Sequence, residues 1–492
     1  MSEYLTHDQV AALRAGLRAV LDDAVADLKD LIRIPSVSAA AFDQARVADS
    51  AAQVAGLLRA AGLTDVRIVS ADRPDGRPGA PAVLGTRPAP AGRPTVMLYA
   101  HHDVQPPGDD AGWTTPPFEP TERDGRLYGR GTSDDKAGVL AHVATLRTLL
   151  PRWGADDGVG LVVFVEGEEE IGSPSMTQLL AEQHDLLASD IIVVADSDNW
   201  APDIPSLTVS LRGLVDADVT VRTLDHPVHS GITGVAAPDA TTVMIRLLNR
   251  LWDADGTVAV PGLSGSPADP RWEELDYTEQ ALRAEVGVLD QVALFGTEPI
   301  LSRIWTQPSI TVTGMDIPRV EHASNTLQAV MTAKLSVRVP PGQDPDTVFA
   351  TIRDHLQADP PFGARVEVTC RETGRPFVAP TASAAYDVAR WALSTAWDGA
   401  EVVEQGIGGS IPFISEFVSA FPQASVLVTA VEDHDSRAHG YDESQHLGVF
   451  ERAALGQVLL LSALATPKPP AGRQGNEPGR PAVPRTSISG LP

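Results

Sequence analysis

PTVMLYAHHDV, residues 94–104, is a continuous apolar run that ends in His101, His102 and Asp103. A run without polar alternation suits a strand buried on both faces, with helices packed above and below the sheet. Residues 159–170, 190–198 (DIIVVADSD) and 425–434 (SVLVTAVEDH) repeat the texture, each closing on acidic or histidine residues. Helical patterns such as AGVLAHVATLRTLL (137–150) lie between them. This strand–helix alternation predicts an α/β domain with a mostly parallel sheet.

Working outward, residues 8–33 repeat apolar positions at helical spacing and predict a first helix. The middle of the chain reads differently. LVDADVTVRT (214–223) alternates apolar and polar residues, as a strand with one buried face does. SITVTG (309–314), AVMTAKLSVRV (329–339) and ARVEVTC (364–370) are further strands, with helices at 239–253 and 345–357. They predict an α+β domain inserted into the first. The expected division is 1–207 and 376–466 for the α/β domain, 208–375 for the insertion, and a Pro- and Gly-rich disordered tail over 467–492.

Composition excludes several function classes. A formal net charge of -27 over 492 residues argues against a nucleic-acid partner, which needs a basic face. The single cysteine, Cys370, excludes an intramolecular disulfide framework and a cysteine-rich zinc ribbon. The start MSEYLTHDQV carries no secretory pattern, and no run of about 18 apolar residues suggests a membrane span. The expectation is a soluble cytoplasmic protein with no membrane partner.

In open α/β sheets, ligands bind beyond the carboxyl ends of the strands. Here those ends offer His101-His102-Asp103, Glu168-Glu169-Glu170, Asp196 with Asp198, and His434 with His439, while Asp134-Asp135 precedes the 137–150 helix. Glu166, Glu168, Glu169 and Glu170 crowd into VVFVEGEEEIGS (162–173) with no lysine or arginine beside them in the chain. Imidazole and carboxylate without thiolate suit zinc, manganese or cobalt. This many ligands fit two ions about 3.5–4 Å apart, bridged by one carboxylate. A surplus glutamate could then accept a proton from water.

YAHHDVQP, LYGRGTSDDKAG, EGEEEIGS, Asp196 after its strand, and AHGYDES occur in the order of the aminoacylase–carnosinase family of co-catalytic zinc peptidases, which the chain resembles from about residue 28 to about 463. GWTTPPFEPTERDGRLYGRG and GGSIP (408–412) are most similar to the carnosinase-like dipeptidase branch. The resemblance implies one metal on His101 and Asp196, another on Glu170 and His439, and Asp134 bridging both. It implies that Asp103 orients the His101 ring and that Glu169 is the general base. His102, Asp198 and His434 are competing ligands that the motif spacing disfavours.

The inserted domain carries HPVHSG (226–231), which resembles the family's lid motif. The resemblance implies that His229 stabilises the oxyanion in the other subunit of a homodimer. It also implies substrate contacts from Asn325, Arg338, Gly409 and Ser410. GRGTSDDKAG and GIGGS (406–410) lack the glycine and lysine pattern of nucleotide loops, and no Gly-x-Ser-x-Gly elbow is present. The expected function is hydrolysis of dipeptides with a free C-terminal carboxylate by two divalent ions, zinc foremost, with manganese or cobalt as alternatives. Two other functions fit the motifs: an N-acyl-amino-acid deacylase, and a non-catalytic metal-binding protein of the same fold.

Overall fold

The computed structural model describes residues 4–267, 269–409 and 412–466; Ser410 and the tail expected over 467–492 lie outside the described residues. A nine-stranded sheet forms the first domain. Its centre is four parallel strands: Gly160–Glu166, Thr95–His101, Ile191–Val194 and Ser425–Thr429. Asp65–Val69 and Ala82–Arg87 add antiparallel strands on one side. On the other side Ser206–Leu211 runs antiparallel to 425–429 and pairs with Val403–Ile407 and Phe377–Val378.

The continuous apolar runs follow from this burial. Every residue of Gly160–Glu166 is buried, as are Val96 to His101. Helix Lys136–Leu149 packs on the His101 strand and between helices His7–Ile32 and Leu447–Ala465. Tyr99 stacks on Phe413 with ring centroids 4.1 Å apart, so the helix Pro412–Ala420 also covers the sheet. Among the described residues, one helix, Leu447–Ala465, is long and apolar enough on average to cross a membrane, although Glu451 and Arg452 interrupt its run. Seventy-two per cent of its most apolar window is buried, as befits a core helix (72% buried).

A second, four-stranded antiparallel sheet is built from Ser309–Met315, Val330–Val339, Gly213–Arg222 and Arg365–Gly374, in that spatial order. Val215, Ala217, Val219 and Val221 point into its own core with Val243, Leu247, Val348 and Ile352 of helices Ala240–Leu248 and Pro345–Gln357. The chain leaves the first sheet after Leu211 and rejoins it at Phe377, and these two residues face each other in register. Beside them the two crossings touch: a Cβ on Gly213 would lie 2.5 Å from the carbonyl oxygen of Gly374. A third apolar cluster was not legible in the sequence. Trp272, Ile300, Leu301 and Trp305 pack with Tyr277 and Trp200, whose residue number is only four beyond Asp196.

Candidate metal centre

Each central strand delivers its polar end to one rim of the sheet. Among the described residues, two groups of imidazole and carboxylate atoms lie within 4.8 Å of one another: His101, Asp134 and Asp196, and Asp134, Glu170 and His439. Asp134 belongs to both. Its Oδ1 lies 3.0 Å from His101 Nε2 and its Oδ2 lies 2.9 Å from His439 Nε2. Asp196 Oδ1 is 3.9 Å from His101 Nε2, and Glu170 Oε2 is 3.2 Å from His439 Nε2.

The competing residues fall elsewhere. His102 is buried and turns its Nε2 to the carbonyl of Pro81 at 2.9 Å. Asp198 pairs with Glu432 in a short parallel bridge, and the His434 ring packs edge-on against Trp200 at 5.9 Å.

Local hydrogen bonds hold the ligand-bearing segments. His101 Nδ1 donates to the backbone carbonyl of Asp103 at 3.0 Å, with the Asp103 carboxylate farther off at 3.5 Å. That carboxylate instead accepts the amides of Glu169 at 3.2 Å and Glu170 at 3.1 Å. Gln105 Nε2 donates to Glu170 Oε2 at 2.8 Å. Asp135 caps the helix Lys136–Leu149 by accepting from Gly138 N, and its other oxygen accepts the amide of His101.

The glutamate quartet divides by environment. Glu168 is buried and receives Arg73 through Nε at 3.0 Å and Nη2 at 2.8 Å, a cation brought from far away in the chain. Glu166 accepts the hydroxyl of Tyr99 at 2.7 Å, and burial pushes its carboxyl up to about 8. Glu169 and Glu170 remain for the rim.

Charge in the rim is unbalanced. Burial, reinforced by Asp196 and Glu170, pushes the Glu169 carboxyl well above the usual range. Burial pushes Glu170 to about 7 and Asp196 to about 6. The hydrogen bonds to Asp134 and Glu170 raise His439 to about 10. Burial opposes the same shift at His101, but Asp103, Asp134 and Asp196 outweigh it and raise that group too. Carboxylates this close and this dry favour positive charge beside them, and the raised imidazoles of His101 and His439 answer to that demand.

The donor set fits divalent ions. His101 Nε2 is buried and makes no hydrogen bond, since its short approach to Asp134 has the wrong geometry for one. With the proton on Nδ1 committed to Asp103, the Nε2 lone pair is left to face a cation.

The expected lid residues lie on elements of the second sheet and its neighbouring two-stranded pair. His229 is exposed, caps the short helix Ser230–Thr233 by accepting from Gly231 N, and pairs with Thr326. The carbonyl of Asn325 accepts the amide of Ser230 at 2.9 Å, so the short antiparallel pairing brings His229 and Asn325 side by side. Arg338 lies on Val330–Val339 opposite Leu214 and Ser309. Gly409 follows the strand Val403–Ile407. Among the described residues, no hydrogen bond or ion pair links His229 to the rim of its own chain.

Sequence reading missed Arg73, Arg130 and Glu443. Glu443, the acid within AHGYDES, accepts the amides of Gly131, Ser133 and Asp134 at 3.0, 3.0 and 3.2 Å.

Comparison with known proteins agrees with this geometry. Residues 97–461 match the family model described as peptidase family M20/M25/M40. The chain is 34% identical over 386 residues to the cysteinylglycine-S-conjugate dipeptidase of Corynebacterium striatum, covering 78% of this chain and 84% of that protein. It is 30% identical to the beta-Ala-His dipeptidase of Rattus norvegicus over 86% of this chain and 89% of that one. In fold it is similar to the di-peptidase Dug1p from Saccharomyces cerevisiae, with a TM-score of 0.75 at 23% identity, covering 93% and 99% of the two chains. With a match over most of its length and both ligand groups gathered on one sheet rim, the chain belongs to peptidase family M20/M25/M40.

Proposed function

We propose that this protein is a two-metal dipeptidase that hydrolyses dipeptides with a free C-terminal carboxylate. One observation carries the reading: the two oxygens of Asp134 face two different histidines, His101 at 3.0 Å and His439 at 2.9 Å, and each histidine has a further carboxylate of its own. That arrangement suits a bridging carboxylate between ions held by His101 and Asp196 on one side and by Glu170 and His439 on the other. When bound, two divalent ions, zinc foremost with manganese or cobalt as alternatives, supply Lewis acidity toward a carbonyl and toward water.

The remaining chemistry belongs to the chain. Glu169 sits beside both ligand groups, and no ligand role falls to it. Its carboxylate takes a proton from the attacking water and returns it to the leaving amine. Asp103 fixes the turn from which Glu169 projects. Arg338 receives the substrate carboxylate, with Asn325, Gly409 and Ser410 lining the substrate. His229 serves the oxyanion of a partner subunit in a homodimer. Ile232 and Val235, close beyond His229 in the chain, are 77% and 100% exposed, which supports a subunit contact at that surface. The formal net charge of -27 supports a substrate other than nucleic acid, and a cytoplasmic enzyme is the reading we propose.

The names of the two relatives, cysteinylglycine-S-conjugate dipeptidase and beta-Ala-His dipeptidase, favour dipeptides over N-acyl amino acids. Chelation should abolish hydrolysis, and zinc, manganese or cobalt should restore it. The reconstituted enzyme should then cleave a dipeptide panel faster than N-acetyl amino acids. Faster turnover of N-acetyl amino acids would make it a deacylase, and bound metal without any turnover would make it a non-catalytic binder.

A further inference from the structure

Arg130 is 2% exposed and lies where the proposed chemistry gives it nothing to do. Its Nη1 donates to Glu443 Oε2 at 2.6 Å, and its Nη2 donates to the backbone carbonyls of His439 and Gly440, each at 3.1 Å. The Trp113 ring lies against the guanidinium, 5.4 Å away at its centroid. Glu443, fully buried, uses both carboxylate oxygens on the loop that ends in Asp134: Oε2 takes Gly131 N, while Oε1 takes Ser133 N, Ser133 Oγ and Asp134 N. One ion pair therefore grips two ligand-bearing loops, that of Asp134 through Glu443 and that of His439 through Arg130.

The His439 loop needs such a grip. Arg437, His439 and Asp442 all adopt left-handed backbone angles, with φ of 56°, 63° and 55°. Residues other than glycine adopt that conformation uncommonly, Asp and His more readily than Arg, and three within six positions need support from their surroundings. The His439 side chain is 59% exposed, so packing does little to fix its ring. Elsewhere in the loop, Asp442 accepts from Thr114 and Tyr441 packs edge-on against Trp113. The other ligand group is built differently. His101 ends a central strand, with its amide held by Asp135 and its ring by the Asp103 carbonyl, and Asp196 follows another central strand.

We infer that Arg130 is a positioning residue for the His439 loop, which serves one group alone, while its partner Glu443 holds Asp134, which both groups share, so that loss of Arg130 weakens the affinity for one ion far more than for the other. The inference rests on the two-ion reading. Without Arg130, Glu443 would keep a buried charge with no counter-charge, and two carbonyls would lose their donor.

The test is stepwise zinc titration of the metal-free protein by calorimetry, with bound ions counted by elemental analysis, for wild type, Arg130→Met and Arg130→Lys. Arg130→Met should weaken one ion about 10–100-fold and leave the other within about threefold. Arg130→Lys should fall between, because an ammonium keeps the charge but cannot span Glu443 and both carbonyls. Equal weakening of both ions, or unchanged affinity for both, overturns the proposal, even if the metal-free melting temperature falls as a purely structural role would require. Should Arg130→Met fail to fold, Arg130→Lys decides by the same criterion. Failure of wild type to take up two ions would sink the two-ion reading and this inference together, whereas failure in the variants alone sinks only this inference.

Discussion

The carboxylate of Asp103 accepts the backbone amide of Glu170 at 3.1 Å, while the backbone carbonyl of the same aspartate takes the Nδ1 proton of His101 at 3.0 Å. Asp103 thus joins residues of both ligand groups through one side chain and one peptide group. Asp103→Ala removes the side-chain half and leaves the carbonyl. It should reduce metal affinity or turnover about 10–100-fold, as loss of a ligand's hydrogen-bonding partner commonly does. Calorimetric metal titration combined with a dipeptide assay checks this; wild-type values in both would show that the turn holds itself.

The adjacent glutamates should separate by role. Glu169→Gln should keep its metal and lose about 10²–10⁴-fold in turnover, the span of a general base. Glu170→Gln should instead lose metal. Elemental analysis of both variants decides, and a reversed pattern would exchange the two assignments.

Arg73 predicts a stability effect rather than a catalytic one. Its guanidinium is the cationic partner of buried Glu168, which also accepts the amides of Ala80 and Ser175. Arg73→Ala leaves that carboxylate buried and unpaired, at a cost of about 3–5 kcal/mol. Denaturant unfolding of the metal-free protein measures it. A cost below about 1 kcal/mol would place Glu168 in the class of exposed pairs.

The lid histidine should act across a dimer. His229→Ala and Glu169→Gln should each be nearly inactive alone. In a purified heterodimer of the two, one site joins an intact Glu169 to the partner's intact His229. Such a heterodimer should recover about half of wild-type activity per dimer, given two-fold symmetry. No recovery would mean that each His229 serves its own chain.

Much of the candidate site was legible because the parallel strands end at the candidate ligands. A strand buried on both faces writes an unbroken apolar run, and its last residue marks the rim, as His101 does. Motif spacing separated Asp196 from Asp198 and His439 from His434, and the ligand groups contain the preferred member of each pair. The supports were illegible for a different reason. Arg73 meets Glu168 across 95 positions and Arg130 meets Glu443 across 313, and neither pairing leaves a periodic trace in the chain. The aromatic cluster around Trp272 and Trp305 was missed because its short helices are too brief to show a period.

Leu211 and Phe377 face each other across an antiparallel pairing, yet more than a third of the described chain is spliced between them. Topologically the inserted domain is an overgrown hairpin tip. The residues expected to touch substrate from it, His229, Asn325 and Arg338, therefore lie on an insertion joined to the first sheet by two crossings and by Trp272 and Trp305, which pack beside Trp200. Joining Leu211 directly to Phe377 through an Asn-Gly turn, which suits a two-residue hairpin loop, should give a shorter protein that folds and still takes up metal but turns over no dipeptide. Circular dichroism and elemental analysis of that protein would tell whether the first sheet folds and takes up metal without the inserted residues.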